Sequence, residues 1–218
     1  MSNQGVLWDM DGVLVDTGEF HFQAWSETLD EHGIPFNRER FRETFGMNNA
    51  GILRVLLGRA PEPELLAEIG DKKEERFRQA VKGRSQLLPG VLGWLERLAA
   101  KGARQAIASS APPANIDVLV DELGLRTYFQ AVVSGSDLPG KPDPAVFLWA
   151  ASLIDVPPER CVVVEDAVTG VEAAKRAGMK AIAVTTTNPA EALRAADLVV
   201  ERLDALPVDA FDRLWAGR

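Results

Sequence analysis

Two aspartates near the N-terminus have a spacing that cation binding or phosphoryl chemistry can use. Asp9 and Asp11 follow the apolar run at residues 5–8 and are separated by one residue. If the strand continued through them, both carboxylates would point the same way, because side chains alternate along a strand. Two like charges that close are unfavourable without a cation or a proton between them. The pair therefore predicts a metal site, and the alternative is a strand that ends in an ordinary Asp-Gly turn.

More polar residues of the same kind follow later apolar runs. Ser109 and Ser110 follow one run, Lys141 lies in a Lys-Pro-Asp-Pro loop after the next, and Glu165 and Asp166 follow another. Each alone has a structural alternative, since serines and acids commonly cap helices and Asp-Pro commonly begins them. Helix capping does not explain the whole set.

A set of carboxylates with one hydroxyl and one lysine favours a hard cation. The predicted metal ligands are Asp9, Asp11, Glu165 and Asp166. Carboxylate oxygens suit Mg²⁺, which keeps part of its hydration shell and recruits phosphate oxygens. Zinc would favour histidine or thiolate ligands, and none accompanies these motifs.

The elements that must position these residues form an alternating pattern. From residue 88 onward, apolar strands alternate with helices, which is typical of a parallel sheet covered on both faces. Ligands bind at the carboxyl ends of such strands. The predicted strands are 5–8, 104–108, 131–134, 160–164, 180–184 and 198–200, and the predicted helices are 91–101, 115–123, 144–153, 168–177, 190–196 and a last one over 211–215.

Residues 17–87 read as an all-helical insertion after the first strand. Asp16 and Glu19 have the spacing of a capping box for a helix that runs to about residue 32. Residues 37–83 are then helical, with breaks near Gly46 and at 58–63. The predicted fold is a Rossmann-like, three-layer α/β core, residues 1–16 and 88–218, with a helical cap at 17–87.

Composition and charge limit the possible binding partners and the cellular compartment of the protein. The net charge of −8 over 218 residues argues against a nucleic-acid or anionic-membrane surface. The single cysteine, Cys161, lies in an apolar run and is interpreted as core packing. The first residues lack a signal-peptide pattern, and no apolar stretch reaches 18 residues, so a cytoplasmic protein is predicted.

In combination, the motifs resemble those of a known superfamily. DMDGVLVD, the strand end at Ser109, KPDP and EDAVTGV resemble the four motifs of the haloacid dehalogenase-like superfamily. The resemblance is greatest to the phosphatases and β-phosphoglucomutases that carry a helical cap after the first motif. It spans the whole chain and implies Mg²⁺ held by Glu165 and Asp166.

The resemblance also implies a role for each remaining motif residue. Asp9 would be the nucleophile, and Asp11 the general acid/base whose backbone carbonyl also reaches the metal. Ser109 would bind a phosphoryl oxygen, and Lys141 would offset negative charge. Dehalogenase relatives lack the second aspartate of the first motif, so Asp11 favours phosphoryl chemistry.

The cap contains residues similar to those at the β-phosphoglucomutase cap entrance. His21 and Trp25 match that segment, and Lys73 aligns with a lysine that binds substrate there. Each has a structural alternative. His21 would be a polar helix residue beside the cap hinge, Trp25 would serve packing, as Trp8 does, and Lys73 would lie on a solvated helix face. The predicted substrate contacts are His21, Trp25, Asn49, Lys73 and Ser110.

Hydrolysis is favoured over isomerisation by what the chain lacks. A mutase must hold a second phosphate, and the resemblance implies an arginine and a Ser-Lys pair for that task. The corresponding residues here are Asn49, Ala111 and Pro112. Charge-assisted hydrogen bonds are the strong ones, so a second phosphate would be poorly held. The predicted function is Mg²⁺-dependent hydrolysis of a small phosphate monoester, with a phosphosugar mutase as the alternative.

Two classes without this chemistry are remote alternatives. A receiver-type signalling domain also has an aspartate at a strand end, Mg²⁺ and a lysine, but it is much shorter and has no cap. A catalytically silent binding module would be expected to have lost Asp9, Asp11 or Lys141, and all three are present. The expected partner is a small phosphorylated metabolite, and the expected state is a monomer or weak dimer.

Overall fold

The computed structural model describes residues 3–217, and its centre is a parallel sheet. In that range the sheet has six strands in the order β3-β2-β1-β4-β5-β6, so β1 lies inside it. The strands are β1 (Gly5–Trp8), β2 (Arg104–Ser109), β3 (Ala131–Ser134), β4 (Cys161–Glu165), β5 (Lys180–Val184) and β6 (Leu198–Val200). The predicted parallel α/β fold is therefore confirmed, although residues 1, 2 and 218 of the predicted core lie outside the described range.

Helices cover both faces of this sheet. Val6 and Trp8 of β1 belong to one apolar cluster and Leu7 to another, as the two-residue period of a strand requires. The first cluster contains side chains of α5 (Val91–Ala100), α6 (Pro113–Glu122) and α9 (Ala210–Ala216), and the second contains side chains of α7 (Ala145–Leu153) and α8 (Val168–Arg176). The result is the predicted three-layer core.

Four helices lie between β1 and α5 in the chain. They are α1 (Gly18–Glu31), α2 (Arg38–Thr44), α3 (Asn49–Leu57) and α4 (Pro63–Val81). They enclose an apolar cluster of their own that includes Trp25, Leu53 and Ile69. We call residues 17–87 the cap. Its division from the core at these residues stays a prediction.

The two segments that connect core and cap run side by side. Val15 forms an antiparallel bridge with Leu87. The backbone N–H of Asp16 donates to the carbonyl of Gln86 at 3.4 Å, and that of Leu88 donates to the carbonyl of Leu14 at 3.0 Å. The chain therefore enters and leaves the cap at one place. No helix within residues 3–217 combines the length and apolar character needed to cross a membrane.

Two local predictions are wrong. The capping box at Asp16 and Glu19 does not form, because α1 begins at Gly18 after Thr17, without a side-chain cap. The Thr17 hydroxyl instead donates to Asp11. The predicted helix at 190–196 is a series of turns with i to i+3 hydrogen bonds. Leu193 is fully buried in a core cluster, so packing fixes this segment as turns.

Candidate active site

The ends of the central strands bring the motif residues together. Asp9 directly follows β1, and its backbone N–H still pairs with the carbonyl of Val164 at 3.0 Å. Ser109 ends β2 and Glu165 ends β4, the two strands that flank β1. Parallel strands end at the same edge of a sheet, so these side chains meet there.

Lys141 connects two of the carboxylates. Its Nζ lies 2.6 Å from Asp9 Oδ1 and 2.6 Å from Glu165 Oε1, and its side chain is 1% exposed. Burial alone would lower the pKa of Lys141, but the charges and hydrogen bonds of Asp9 and Glu165 raise it above its usual value. The ammonium group therefore stays charged beside Asp9.

Three buried carboxylates cluster at this edge. One oxygen from each of Asp9, Glu165 and Asp166 lies within 4.8 Å of the others. Burial, with the charges of Glu165 and Asp11, raises the pKa of Asp9 to about 7, and burial with neighbouring carboxylates raises the pKa of Asp166 well above its usual value. The raised pKa values show that these carboxylates repel one another, and if all three ionise, their charge exceeds that of Lys141 by two. An oxygen donor set with this excess fits a divalent hard cation.

Glu165 is held by backbone groups as well as by Lys141. Its Oε2 accepts hydrogen bonds from the N–H groups of Asp166 and Ala167, both at 2.8 Å. The helix that follows has Ala167 at its N-cap and no side-chain cap. A Cβ at Gly170 would lie 1.8 Å from Glu165 Oε1, so only glycine leaves room for this carboxylate. These contacts orient Glu165 toward the site, which helix capping would not require.

Asp166 is positioned by two residues outside the predicted set. The Thr187 hydroxyl donates to Asp166 Oδ2, and Asn188 Nδ2 donates to the Asp166 carbonyl at 3.0 Å. Both follow β5, another strand of the same edge, and this position was the signal that could have found them. A Cβ at Gly12, where φ is +80°, would lie 2.1 Å from Asp166 Oδ2.

Asp11 has different partners from Asp9, because the strand does not continue through it. The chain turns after Asp9, and the Leu14 N–H donates to the Met10 carbonyl at 2.9 Å. Asp11 Oδ1 accepts from Thr17 Oγ1 at 2.5 Å and lies 3.1 Å from His21 Nε2. The condition for a common direction of the two aspartates, a strand that continues through both, is therefore not met, and the Asp11 carboxylate is not one of the three clustered carboxylates. Its predicted metal contact through the backbone carbonyl is unaffected.

The protonation of Asp11 follows from these contacts. Burial alone would raise its pKa, but the charge and hydrogen bond of His21 and the Thr17 hydroxyl lower it below the usual value. The carboxylate is therefore ionised in this conformation, as a group that accepts a proton must be.

Ser109 and Ser110 line the same cavity as the aspartates. Ser109 is 1% exposed, and its Oγ accepts a hydrogen bond from the Ala111 N–H at 3.1 Å. Helix α6 has Pro112 at its N-cap, so neither serine caps it. This arrangement leaves the Ser109 hydroxyl hydrogen available for an oxygen in the cavity.

The cap closes over the strand ends. His21, Trp25, Asn49 and Lys73 line one cavity together with Asp9. Its volume is about 40 Å³ for the centre of a water-sized sphere, which is space for only a few waters, at roughly 10–15 Å³ each. The predicted cap residues are therefore brought to the motif residues, in a closed conformation.

Lys73 is not on a solvated helix face, so that alternative is wrong. It is 3% exposed, and its Nζ lies 3.0 Å from His21 Nδ1 and 2.9 Å from Glu74 Oε1. His21 in turn stacks on Phe77, with ring centroids 3.9 Å apart. Glu74 was not among the predicted residues, because it stands in a charged run without any pattern that sets it apart.

The tryptophans differ in their surroundings. Trp8, the last residue of β1, is fully buried, and its Nε1 donates to Gln105 Oε1 at 3.1 Å. Its interpretation as packing is confirmed. Trp25 packs in the cap cluster and also lines the cavity, with Lys73 Nζ 5.2 Å from its ring centroid.

This chain is similar to known proteins in sequence and in fold. A family model described as haloacid dehalogenase-like hydrolase matches residues 4–178. A β-phosphoglucomutase of Bacillus subtilis is 32% identical over 220 residues, which cover 97% of this chain and 95% of the relative. A phosphorylated carbohydrates phosphatase of Thermotoga maritima is 32% identical over 199 residues, covering 90% and 92%. The crystal structure of a β-phosphoglucomutase from Clostridium difficile matches with a TM-score of 0.88, 23% identity and coverage of 98% and 97%, and supports the fold.

Proposed function

Because this chain belongs to the haloacid dehalogenase-like hydrolases, an enzyme family, we propose that it is a Mg²⁺-dependent phosphatase that hydrolyses a small phosphate monoester. The observation that carries the proposal is Asp9, buried at a strand end against the charged Lys141 and two further carboxylates. A carboxylate that attacks a phosphate dianion needs this positive charge beside it. The leaving alcohol belongs to a small phosphorylated metabolite, such as a sugar phosphate.

The first half of the reaction transfers the phosphoryl group to Asp9. A carboxylate oxygen of Asp9 bonds to phosphorus while the bond from phosphorus to the alcohol oxygen breaks. Asp11 gives that oxygen a proton. Asp11 must first gain this proton, and the negative charge of the bound phosphate favours it by raising the pKa of the nearby carboxyl group.

The second half releases phosphate. A water oxygen bonds to phosphorus as the bond to Asp9 breaks, and Asp11 takes the proton of that water. In this step Asp11 must begin ionised, which is the form that His21 and Thr17 favour in the closed conformation. Ser109 donates to a phosphoryl oxygen in both halves, and the closed cap excludes bulk water.

The carboxylate cluster supports Mg²⁺ as the cofactor. Asp9, Glu165 and Asp166 would hold it, with the backbone carbonyl of Asp11 as the ligand that the family resemblance adds. Bound Mg²⁺ would supply positive charge that offsets the phosphate and carboxylate charges.

A phosphosugar mutase is the second candidate, favoured by the similarity to the Bacillus subtilis enzyme along nearly the whole chain. Asn49, Ala111 and Pro112, which stand where the mutases place an arginine and a Ser-Lys pair, all line the cavity. They bring no positive charge to a second phosphate. The cavity thus supports hydrolysis over isomerisation.

The test is phosphate release from a panel of phosphate monoesters with Mg²⁺ and with EDTA. The same panel is assayed for isomerisation of β-glucose 1-phosphate with a bisphosphate primer. We expect Mg²⁺-dependent hydrolysis in the wild type and a loss of at least about a thousandfold in Asp9→Asn, because removing a nucleophile removes the covalent route.

The matched control is Asp30→Asn, an exposed aspartate on α1, which should keep wild-type activity. Hydrolysis that survives Asp9→Asn would refute the nucleophile. Isomerisation with negligible hydrolysis would favour the mutase.

A further inference from the structure

A buried ion pair lies on the cap side of the cavity. Lys73 and Glu74 are 3% and 5% exposed, and both line the cavity that holds Asp9 and Asp11. Lys73 Nζ donates to Glu74 Oε1 at 2.9 Å. The charge that Lys73 brings to the cavity is therefore matched by an adjacent carboxylate.

The Glu74 carboxylate is fixed in place by two asparagines. Asn49 Nδ2 donates to Oε1 at 2.9 Å, and Asn115 of core helix α6 donates to Oε2. Burial alone would raise the pKa of Glu74, but the charges of Lys73 and His21 and the hydrogen bonds from Lys73 and Asn49 lower it below the usual value. Glu74 is thus an ionised, immobile anion in the wall of the cavity.

Few positively charged side chains are therefore available to the alcohol part of the substrate. Among the described residues that line the cavity, Lys73 is the one lysine or arginine, with His21 beside it. Lys141 is already paired with Asp9 and Glu165. A second anionic group on the substrate would be desolvated near Glu74, and among the described residues that line this cavity no unpaired cation compensates it, which is costly in a buried site. Arg78, whose Nη1 donates to Asn115 Oδ1 at 3.0 Å, lines the neighbouring cleft and not this cavity.

We infer that Glu74 sets the substrate class by neutralising Lys73, so that the site accepts monophosphate esters of uncharged alcohols and rejects those that carry a second anionic group. This inference rests on the proposed function. Specificity of this kind comes from an unfavourable interaction with the wrong ligand. It also acts against a mutase, whose bisphosphate intermediate carries a second phosphate.

The test compares two ligands of similar size. Glycerol 3-phosphate ends in an alcohol, and 3-phosphoglycerate has a carboxylate in its place. Each competes against Mg²⁺-dependent hydrolysis of p-nitrophenyl phosphate. We expect the wild type to bind glycerol 3-phosphate more tightly by at least about tenfold, and Glu74→Gln to reduce that ratio by about tenfold through tighter binding of 3-phosphoglycerate.

The matched control is Glu64→Gln, which removes an exposed carboxylate from the same helix and should leave the ratio unchanged. Glu74→Ala, which should shift the ratio the same way, is used if circular dichroism shows that Glu74→Gln does not fold. A folded Glu74 variant with the wild-type ratio, or a wild type that prefers 3-phosphoglycerate, would overturn the inference. If the wild type releases no nitrophenol, the proposed function fails, and the ratio is read instead from the shift in melting temperature that each ligand produces.

Discussion

Two threonine hydroxyls hold carboxylates of the site in position. Thr17 donates to Asp11, and Thr187 donates to Asp166. Neither belongs to the four motifs. Thr17 lies where the chain enters the cap, and Thr187 follows β5. Such outer contacts orient a ligand or proton carrier without touching the substrate.

For Thr187→Val, we expect a weaker response to Mg²⁺ with a smaller change in the rate at saturating Mg²⁺. Valine keeps the shape but leaves Asp166 Oδ2 without its hydroxyl donor. Loss of such a contact typically weakens metal affinity by about 10–100-fold. The measurement is the Mg²⁺ concentration for half-maximal phosphatase activity.

Thr186→Val, at an exposed neighbour of Thr187, is the matched control and should behave as the wild type. A Thr187 variant that lowers the maximal rate with an unchanged Mg²⁺ requirement would show that Thr187 acts elsewhere.

At the scale of residues, the sequence predicts the strand-end groups and not their supports. Asp9, Lys141, Glu165 and Asp166 follow apolar runs, and parallel topology alone brings such ends together. Glu74 stands in a run of charged residues on α4, where only packing of the cap against α6 decides which side chain is buried. No local pattern carries that information.

At the scale of elements, one aspartate connects α8, the start of β5 and the start of β6. Asp197, just before β6, accepts hydrogen bonds from Lys175 of α8 at 2.6 Å, from Lys180 of β5 at 3.1 Å and from the Ala181 N–H at 2.8 Å. Burial alone would raise its pKa, but these bonds lower it below the usual value. The ionised form therefore stabilises the docking of β6.

Asp197→Asn should destabilise the protein by about 1–2 kcal/mol at pH 7, since hydrogen bonds to a charged group are lost. A pKa lowered by folding contributes stability above the unfolded value, about 3.9 for aspartate. That contribution is lost as the pH falls through the lower folded value. The free-energy difference between wild type and variant should therefore be constant from pH 7 to 5 and shrink below about pH 4.

Urea unfolding at pH 7, 5 and 3.5 measures this difference. Asp212→Asn, which removes an exposed pair with Lys101, is the control and should cost less than about 1 kcal/mol. A difference for Asp197→Asn that persists unchanged at pH 3.5 would contradict the assignment to its charge.

The elements themselves are largely predictable from the sequence, and the exceptions have a physical cause. The predicted strands 131–134, 180–184 and 198–200 coincide with β3, β5 and β6, because apolar runs between helices mark them. The helix predicted at 190–196 does not form, because packing decides the conformation of this short, polar and alanine-rich segment. Leu193, for example, is fully buried in the core cluster beside α8.

At the scale of the whole molecule, residues 17–87 cover the strand ends and are joined to the rest of the chain by two short segments that lie side by side. Asn48 Nδ2 donates to the Leu138 carbonyl of the core at 3.3 Å, and a Cβ at Gly46 would lie 3.0 Å from Ala167 Cβ. The cavity beneath has space for only a few waters, so substrate must enter in an opened state. The two connecting segments lie side by side, with Val15 opposite Leu87, so we expect the opening motion to take place there.

The same hinge geometry predicts that the core folds without the cap. Asp16 and Gln86 face each other across the antiparallel pair, so Asn-Gly in place of residues 17–85 should close a two-residue hairpin turn. Phe77 and Val81 of α4 pack in a core cluster, and their loss should cost about 1.5–3 kcal/mol each. We therefore expect a less stable chain that still unfolds cooperatively by circular dichroism and has lost phosphatase activity. Mg²⁺ should raise its melting temperature through the remaining carboxylate cluster, and adding Asp166→Asn should abolish that shift. A shortened chain without a cooperative transition would show that core and cap fold as one unit, against the predicted division.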